Sequence, residues 1–207
     1  AKEVKKLTAK KEVEDRESID IKTLLNGEKF LTDVAIKITD KDGKELDYKT
    51  ESIPLDALVS LKYNYKIPEH LLTDKKLKAG DYYDITIPAG ININAGIEGK
   101  LGNYGTYKVV DGKVRLTFNE SVETLFKIEG DFTYNERLDN TVDAGENEIR
   151  IPLDGEDQVI KVNVKPTGGN PISKQSSIGD DKKSVQWSVS INNNLETLNN
   201  ATVTDKM

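Results

Sequence analysis

The last residues of the chain, NNATVTDKM at 199–207, place a carboxylate where a strand would have its buried side. Successive side chains of a β-strand point to opposite faces, so Asp205 shares a face with Ala201 and Val203. Burial raises the pKa of a carboxyl group, and a protonated carboxyl can polarise a carbonyl. Asp205 is therefore a candidate acid; the alternative is that it ends its strand and turns to solvent.

Other residues that could do chemistry are few. His70 is the only histidine and the chain has no cysteine, which excludes disulfides, thiolate metal sites and a histidine-rich metal centre. The acidic turn at 39–43 lacks the spacing and the closing glutamate of an EF-hand, so a plain turn is expected there. No cluster of acids, histidine and nucleophile stands out, and we predict no enzyme, no metal and no cofactor.

Composition narrows the class of protein. The 207 residues are 36% hydrophobic and 32% charged, a composition typical of β-sheets with one solvent-exposed face. The net charge of −6 comes from 30 basic and 36 acidic residues that are well mixed, so nucleic acid is not an expected partner. No apolar run is long enough for membrane insertion. No signal peptide is visible at Ala1, which leaves open whether the protein is secreted or cytosolic.

A period of two in hydrophobicity predicts the strands. The strongest signal runs over 59–67 and ends at Pro68. Residues 105–122 predict a hairpin, because Asp111-Gly112 favours a type I′ turn. Strands recur with turn signals between them and no strong helix appears, which predicts an antiparallel β-sandwich. We expect its core to contain Val59, Leu61, Phe118, Phe132 and Val162.

The sequence divides into three parts. Residues 1–31 form a charged N-terminal leader, with a short helix as the alternative, and residues 32–166 form the sandwich. Residues 167–207 form a linker and the incomplete start of a second sandwich, because two or three strands cannot bury a core alone. The composition break that marks the linker covers 165–183. Trp187 is expected in a core, and the alternative is that it stacks on a ligand. Exposed strand edges could then pair with another chain.

Two segments of the sequence resemble a known family. KLKAGDYYDITIP at 76–88, followed by residues 104–134, resembles the first adhesive subdomain of Gram-positive cell-wall-anchored adhesins of the collagen-binding type. VQWSVSINNNLETLNNATVTD at 185–205 is similar to the start of their second subdomain. The resemblance implies an all-β protein with two immunoglobulin-like sandwiches, which close around a rod-like ligand in a trench between them.

The resemblance also implies a role for Asp205. Such domains carry an intramolecular isopeptide bond between a lysine and an asparagine, assisted by a buried acid. Asp205 matches the acid and Lys174 the lysine, whereas Lys182 and Lys183 fit less well. The asparagine is expected on a late strand that this chain does not contain. The lysine must be neutral to attack an amide carbon, and burial lowers its pKa.

The leading hypothesis is therefore the ligand-binding region of a bacterial surface adhesin that attaches to a host extracellular-matrix protein such as collagen. Such a protein would be extracellular and anchored to the cell wall through a downstream sorting segment. The alternatives are a structural stalk or pilus-type building block without a ligand, and a carbohydrate-binding accessory domain. Tyr82, Tyr104 and Tyr107 are candidate ligand contacts, because exposed tyrosines on a sheet suit protein binding. Exposed aromatic side chains also occur on sheets without such a function.

Overall fold

The computed structural model is built mainly from antiparallel β-strands. It describes residues 13, 15–139, 142–166, 172–179, 183–191, 202 and 204. Helices of four or five residues lie at Lys22–Leu25, Glu69–Thr73 and Ser121–Thr124. The strands are β1 (Leu31–Thr39), β2 (Glu45–Leu46), β3 (Leu58–Lys66), β4 (Tyr82–Thr86), β5 (Ile91–Asn92), β6 (Glu98–Lys100), β7 (Gly105–Val110), β8 (Lys113–Phe118), β9 (Glu129–Leu138), β10 (Gly145–Ile151), β11 (Gln158–Val164), β12 (Ile172–Ile178) and β13 (Val185–Ile191).

Two sheets form the sandwich. A five-stranded sheet has the order β2-β1-β3-β9-β5, and a four-stranded sheet has the order β4-β8-β7-β6. Neighbouring strands in both sheets are antiparallel. β10 and β11 form a separate antiparallel pair that attaches to the segment before β3. The Ile53 amide donates to the Asn163 carbonyl at 2.7 Å, and the Lys165 amide donates to the Ile53 carbonyl at 2.8 Å.

The core between the sheets follows the alternation of the sequence. The five side chains predicted to be buried are at most 3% exposed, which confirms the predicted faces: Val59, Leu61, Phe118, Phe132 and Val162. Phe30, just before β1, joins the two sheets, since its ring centroid lies 5.4 Å from that of Tyr65 and 4.4 Å from that of Tyr83. Burial of one such side chain stabilises the fold by about 1.5–3 kcal/mol.

The turn between β7 and β8 fixes the register of the hairpin. Asp111 and Gly112 have φ angles of 50° and 72°, and a type I′ turn requires positive φ at both central residues. The predicted hairpin and its turn are thus confirmed. The register pairs Tyr107 with Leu116 and Lys108 with Arg115. It therefore sends one set of side chains to the core and the other to the outer face of the four-stranded sheet.

The charged N-terminal stretch contacts the sandwich from Arg16 onwards. Residues 19–21 run beside β4, because the Tyr82 amide donates to the Ile19 carbonyl at 3.0 Å and the Ile21 amide donates to the Tyr82 carbonyl at 2.8 Å. The Ile21 side chain is fully buried. This segment therefore covers the edge of the four-stranded sheet at β4, where an open edge would expose unpaired backbone groups.

Strands β12 and β13 form an antiparallel hairpin with two chemically different faces. The register pairs Ser176 with Trp187 and Lys174 with Val189, so these four residues share one face. Residues 172–178, which composition assigned to the linker, are therefore strand. The prediction that Trp187 lies in a core is wrong for the described residues, because its side chain is 54% exposed. The other large apolar side chains of β13 are exposed as well.

Candidate functional site

The outer face of the four-stranded sheet carries the first group of polar side chains that the fold brings together. Register places outward residues of β4, β8, β7 and β6 in rows across the sheet. One row contains Asp84, Arg115, Lys108 and Glu98, in that order. We call the outward residues of these four strands the cationic face, because its exposed members include three lysines: Lys100, Lys108 and Lys113.

Arg115 is held rigidly in the middle of this face. Its Nε and Nη2 atoms donate to the two carboxylate oxygens of Asp84, both at 2.7 Å. Its guanidinium also stacks on Tyr82, with Cζ 3.8 Å from the ring centroid. The hydrogen bonds that Arg115 donates to Asp84 raise the pKa of Arg115, so the charge is permanent. A planar cation fixed by a carboxylate and an aromatic ring loses little conformational freedom when it meets an anion.

The three candidate tyrosines do not share a surface. Tyr82 lies on the cationic face beneath Arg115 and is half-buried. Tyr107 points to the opposite side of the same sheet, where its hydroxyl donates to the Thr133 carbonyl at 2.8 Å and bridges the two sheets. Tyr104 is half-buried in the turn before β7. One ligand surface cannot use Tyr82 and Tyr107 together, and a contact role for any of the three stays a prediction.

Lys174, the candidate for a cross-link, lies on β12. Its ammonium is 4.4 Å from the centroid of the Trp187 ring, a cation–π contact. Lys174 therefore sits on the apolar face of the hairpin and not on the polar one. Asp205, the candidate acid, lies outside the described residues, as does Lys182. Lys183 is exposed in the segment between β12 and β13.

A buried polar cluster occupies the core side of the five-stranded sheet. It consists of the carboxyl group of Glu136 and the hydroxyl groups of Tyr63 and Tyr134. Burial raises the pKa of Glu136 to about 7, an effect that the nearby Tyr134 hydroxyl partly offsets. Neither carboxyl oxygen of Glu136 forms a well-aligned hydrogen bond with a described residue. The cluster is closed to solvent, so it can affect stability but cannot reach a ligand.

The alternation of the sequence predicts the orientation of Glu136 and of the basic pair on β8. Glu136 has the same parity as Phe132 and Tyr134, which predicts an inward carboxyl. Arg115 and Lys113 have the parity opposite to the core residues of β8, which predicts an outward pair. Lys100 had no such signal, because β6 has only three residues and its pairing with β7 depends on the fold.

The described residues show neither a metal cluster nor a spanning helix. No group of three or more acidic or histidine side chains within them could hold a metal ion. No helix in the described part of the chain is both long enough and apolar enough to cross a membrane.

Residues 54–148 match the family model of a bacterial Ig domain. The matched range begins before β3 and ends within β10, so it contains strands of both sheets of the sandwich. The all-β, immunoglobulin-like fold class predicted from the sequence is thereby confirmed. A search of curated proteins found no match to the chain.

Solved structures similar to this chain include adhesins of Gram-positive bacteria. They include the collagen-binding domain of the Erysipelothrix rhusiopathiae surface protein RspB, with 14% identity over 86% of this chain and a TM-score of 0.46. The Enterococcus faecalis adhesin ACE shares 17% identity over 81% of the chain, with a TM-score of 0.46. The collagen adhesin CNA from S. aureus shares 16% over 86%, again with a TM-score of 0.46. The chain spans 55–57% of the length of these structures.

Proposed function

We propose that this chain is part of the ligand-binding region of a bacterial surface adhesin that attaches to a host extracellular-matrix protein such as collagen. The observation that supports it most directly is the order of two units along the chain. An Ig-like sandwich is followed by a hairpin with one apolar, exposed face. That order agrees with the two-sandwich arrangement that the sequence resemblance implies. The names of RspB, ACE and CNA refer to collagen, which makes collagen the first ligand to test.

A binding role fits the chemistry of the described residues better than catalysis does. The one strongly perturbed acid, Glu136, is sealed in the core, and the buried Asp81 is engaged by Arg16. Neither acid lies beside a nucleophile in an open cleft, which acid–base or covalent catalysis would need. The proposal is accordingly a non-enzymatic protein on the outside of the cell, anchored through a segment downstream of this chain.

The proposal includes the cross-link between Lys174 and an asparagine, with Asp205 as the acid. Lys174 shares the apolar face of the hairpin with Trp187 and Val189. A second layer of strands on that face would take the ammonium out of water, and desolvation lowers the pKa of a lysine. A neutral amine could then attack a side-chain amide, which is the step that the bond requires.

Binding to triple-helical collagen tests the proposed function. Surface plasmon resonance would compare the 207-residue chain with a longer protein that continues beyond Met207, on native collagen and on heat-denatured collagen. We expect the longer protein to bind native collagen more tightly than the 207-residue chain, because a trench between two sandwiches needs both. Equal affinity of the two proteins would place the site wholly in the first sandwich.

The remaining outcomes separate the alternatives. Binding of neither protein to a panel of matrix proteins would favour a structural stalk or pilus-type block. Binding to neutral glycans without binding to the matrix proteins would favour a carbohydrate-binding accessory domain. Equal binding to native and denatured collagen would contradict recognition of a rod-like ligand.

A further inference from the structure

The cationic face concentrates positive charge on a protein whose net charge is −6. Four basic side chains point outward from its strands, and the acidic ones on the same strands are Asp84 and Glu98. Two further carboxylates, Asp20 and Asp111, lie at its margins, close enough to Arg115 to interact with its charge. Asp84 is already bound to Arg115 by two hydrogen bonds. Within the described residues, no carboxylate forms an ion pair with any of the three lysines, Lys100, Lys108 and Lys113.

Several lysines elsewhere in the described residues differ from these, although others, such as Lys44 and Lys49, also form no ion pair with a described residue. On the five-stranded sheet Lys37 pairs with Glu45 at 3.1 Å, and Lys62 pairs with Asp131 at 3.6 Å. On β11, Lys161 pairs with Glu146 at 3.3 Å. Those pairs cancel local charge, whereas the cationic face leaves its lysines to attract an external anion.

The spacing of the charges fits an extended polyanion. Lys108 lies directly opposite Arg115 on the neighbouring strand, and Lys113 is two residues from Arg115 on the same strand. Adjacent strands are about 4.8 Å apart and alternate residues about 6.8 Å apart, so Lys108 and Lys113 each lie one such step from Arg115. Several anionic groups on one chain can therefore be neutralised at once.

A groove continues the face at the end that contains Lys100. Its volume is about 510 Å³, and its polar lining consists of Lys100, Glu120 and four hydroxyl or amide side chains: Asn103, Thr106, Thr117 and Asn119. Three glycines, Gly80, Gly102 and Gly105, also line the groove and keep it open. Hydroxyl and amide groups suit the hydrogen-bonding pattern of sugar rings.

The face lacks what a protein partner or a nucleic acid would use. None of the large apolar side chains exposed in the described residues lies on it, and buried aromatic or aliphatic anchors dominate protein interfaces. Its aromatic ring, Tyr82, is covered by Arg115 and cannot stack with a base. We propose that the cationic face binds a sulfated polysaccharide, a ligand additional to the matrix protein proposed above.

Heparin is the probe for this proposal, measured by surface plasmon resonance at low and at physiological salt with the full 207-residue chain. We expect binding that weakens as salt rises. The triple variant Lys100→Gln, Lys108→Gln, Lys113→Gln should bind at least about tenfold more weakly, because each lost charge removes one exposed ionic contact. The change Glu98→Gln should strengthen binding, since it removes the acidic residue opposite Lys108.

A matched control separates the face from total charge. The triple variant Lys37→Gln, Lys62→Gln, Lys161→Gln also removes three positive charges, from exposed positions on other strands. It should change heparin affinity by less than about twofold. Equal weakening by both triple variants would overturn the proposal, and so would absence of heparin binding at low salt. Undiminished binding to desulfated heparin, or tighter binding to single-stranded DNA, would also overturn it.

Discussion

Arg16 and Asp81, 65 residues apart in sequence, form a two-point ion pair that holds the N-terminal stretch on the sandwich. Arg16 Nη1 and Nη2 donate to the two carboxylate oxygens of Asp81 at 2.7 and 2.6 Å. The Asp81 carboxylate also accepts from the amides of Ile19 and Lys78. Because the Asp81 side chain is fully buried, its charge depends on these donors for compensation.

Replacement of Arg16 by alanine should lower the free energy of unfolding by about 3 kcal/mol, because a buried carboxylate would lose its cation. Urea denaturation followed by far-ultraviolet circular dichroism would measure the loss. Lys41→Ala is the control, since Lys41 and Asp42 form an exposed pair and such pairs contribute less than about 1 kcal/mol. Equal small effects of the two changes would mean that the Asp81 site relaxes or hydrates without Arg16.

Truncation of Phe118 to alanine should cost about 3–5 kcal/mol of unfolding free energy, through lost burial and the cavity that remains. Phe118 is 2% exposed, and its ring packs edge-on against Phe30 with 5.8 Å between centroids. The same urea titration measures this loss. Phe126→Ala, at a position where the side chain is 65% exposed, is the control. A loss near zero for Phe118→Ala would contradict the assignment of the β8 faces.

Glu136 should make the protein less stable as pH rises from about 4.5 to about 7. Burial raises the pKa of Glu136 from 4.5 to about 7, so the folded state keeps a proton that the unfolded state has released. The stabilising proton is fully present below pH 4.5 and is lost as pH passes through 7. The total effect is on the order of 3 kcal/mol.

The variant Glu136→Gln keeps the shape of the side chain and cannot ionise. Its unfolding free energy should therefore fall less between pH 4.5 and pH 8 than that of the unchanged protein. Glu129→Gln, at an exposed position on the same strand, is the control and should leave the pH profile of that range nearly unchanged. Identical profiles for Glu136→Gln and the unchanged protein would remove Glu136 as the cause.

Formation of the Lys174 cross-link should lower the intact mass of a longer protein by about 17 Da, the mass of the ammonia that amide exchange expels. Lys174→Arg and Asp205→Ala should each abolish the loss, whereas Lys183→Arg should retain it. Electrospray mass spectrometry gives the readout. We expect the 207-residue chain to keep its unmodified mass, and a loss in that chain would place the asparagine within it.

The parts of the fold that follow from alternation were predictable from sequence. β3 alternates apolar and polar residues from Val59 to Lys66, and one face of the strand is buried as predicted. The β7–β8 turn was equally predictable, because Asp111-Gly112 is one of the few dipeptide types that readily adopt positive φ angles at both residues. Both features, the buried face of β3 and the turn, are determined by residues that are neighbours in the sequence.

The parts that were missed depend on partners distant in sequence. Ile21 alternates with Ile19 over too few residues to predict a strand, yet it is fully buried because residues 19–21 pair with β4. Tyr107 alternates with polar neighbours on its own strand, which does not reveal that its hydroxyl reaches β9. The cationic face likewise appears only when the register of four strands is known, since its charges come from separate segments of sequence.

The placement of the single tryptophan gives the molecule two separate optical reporters. Trp187 lies on the open face of the β12–β13 hairpin, whereas Tyr63, Tyr65 and Tyr134 are buried in the sandwich. Fluorescence excited selectively in the Trp187 indole therefore reports on the hairpin and does not report directly on unfolding of the sandwich. When strands or a partner cover that face, the emission should shift to shorter wavelength. The docking of a second layer can thus be timed in a stopped-flow mixer without any attached dye.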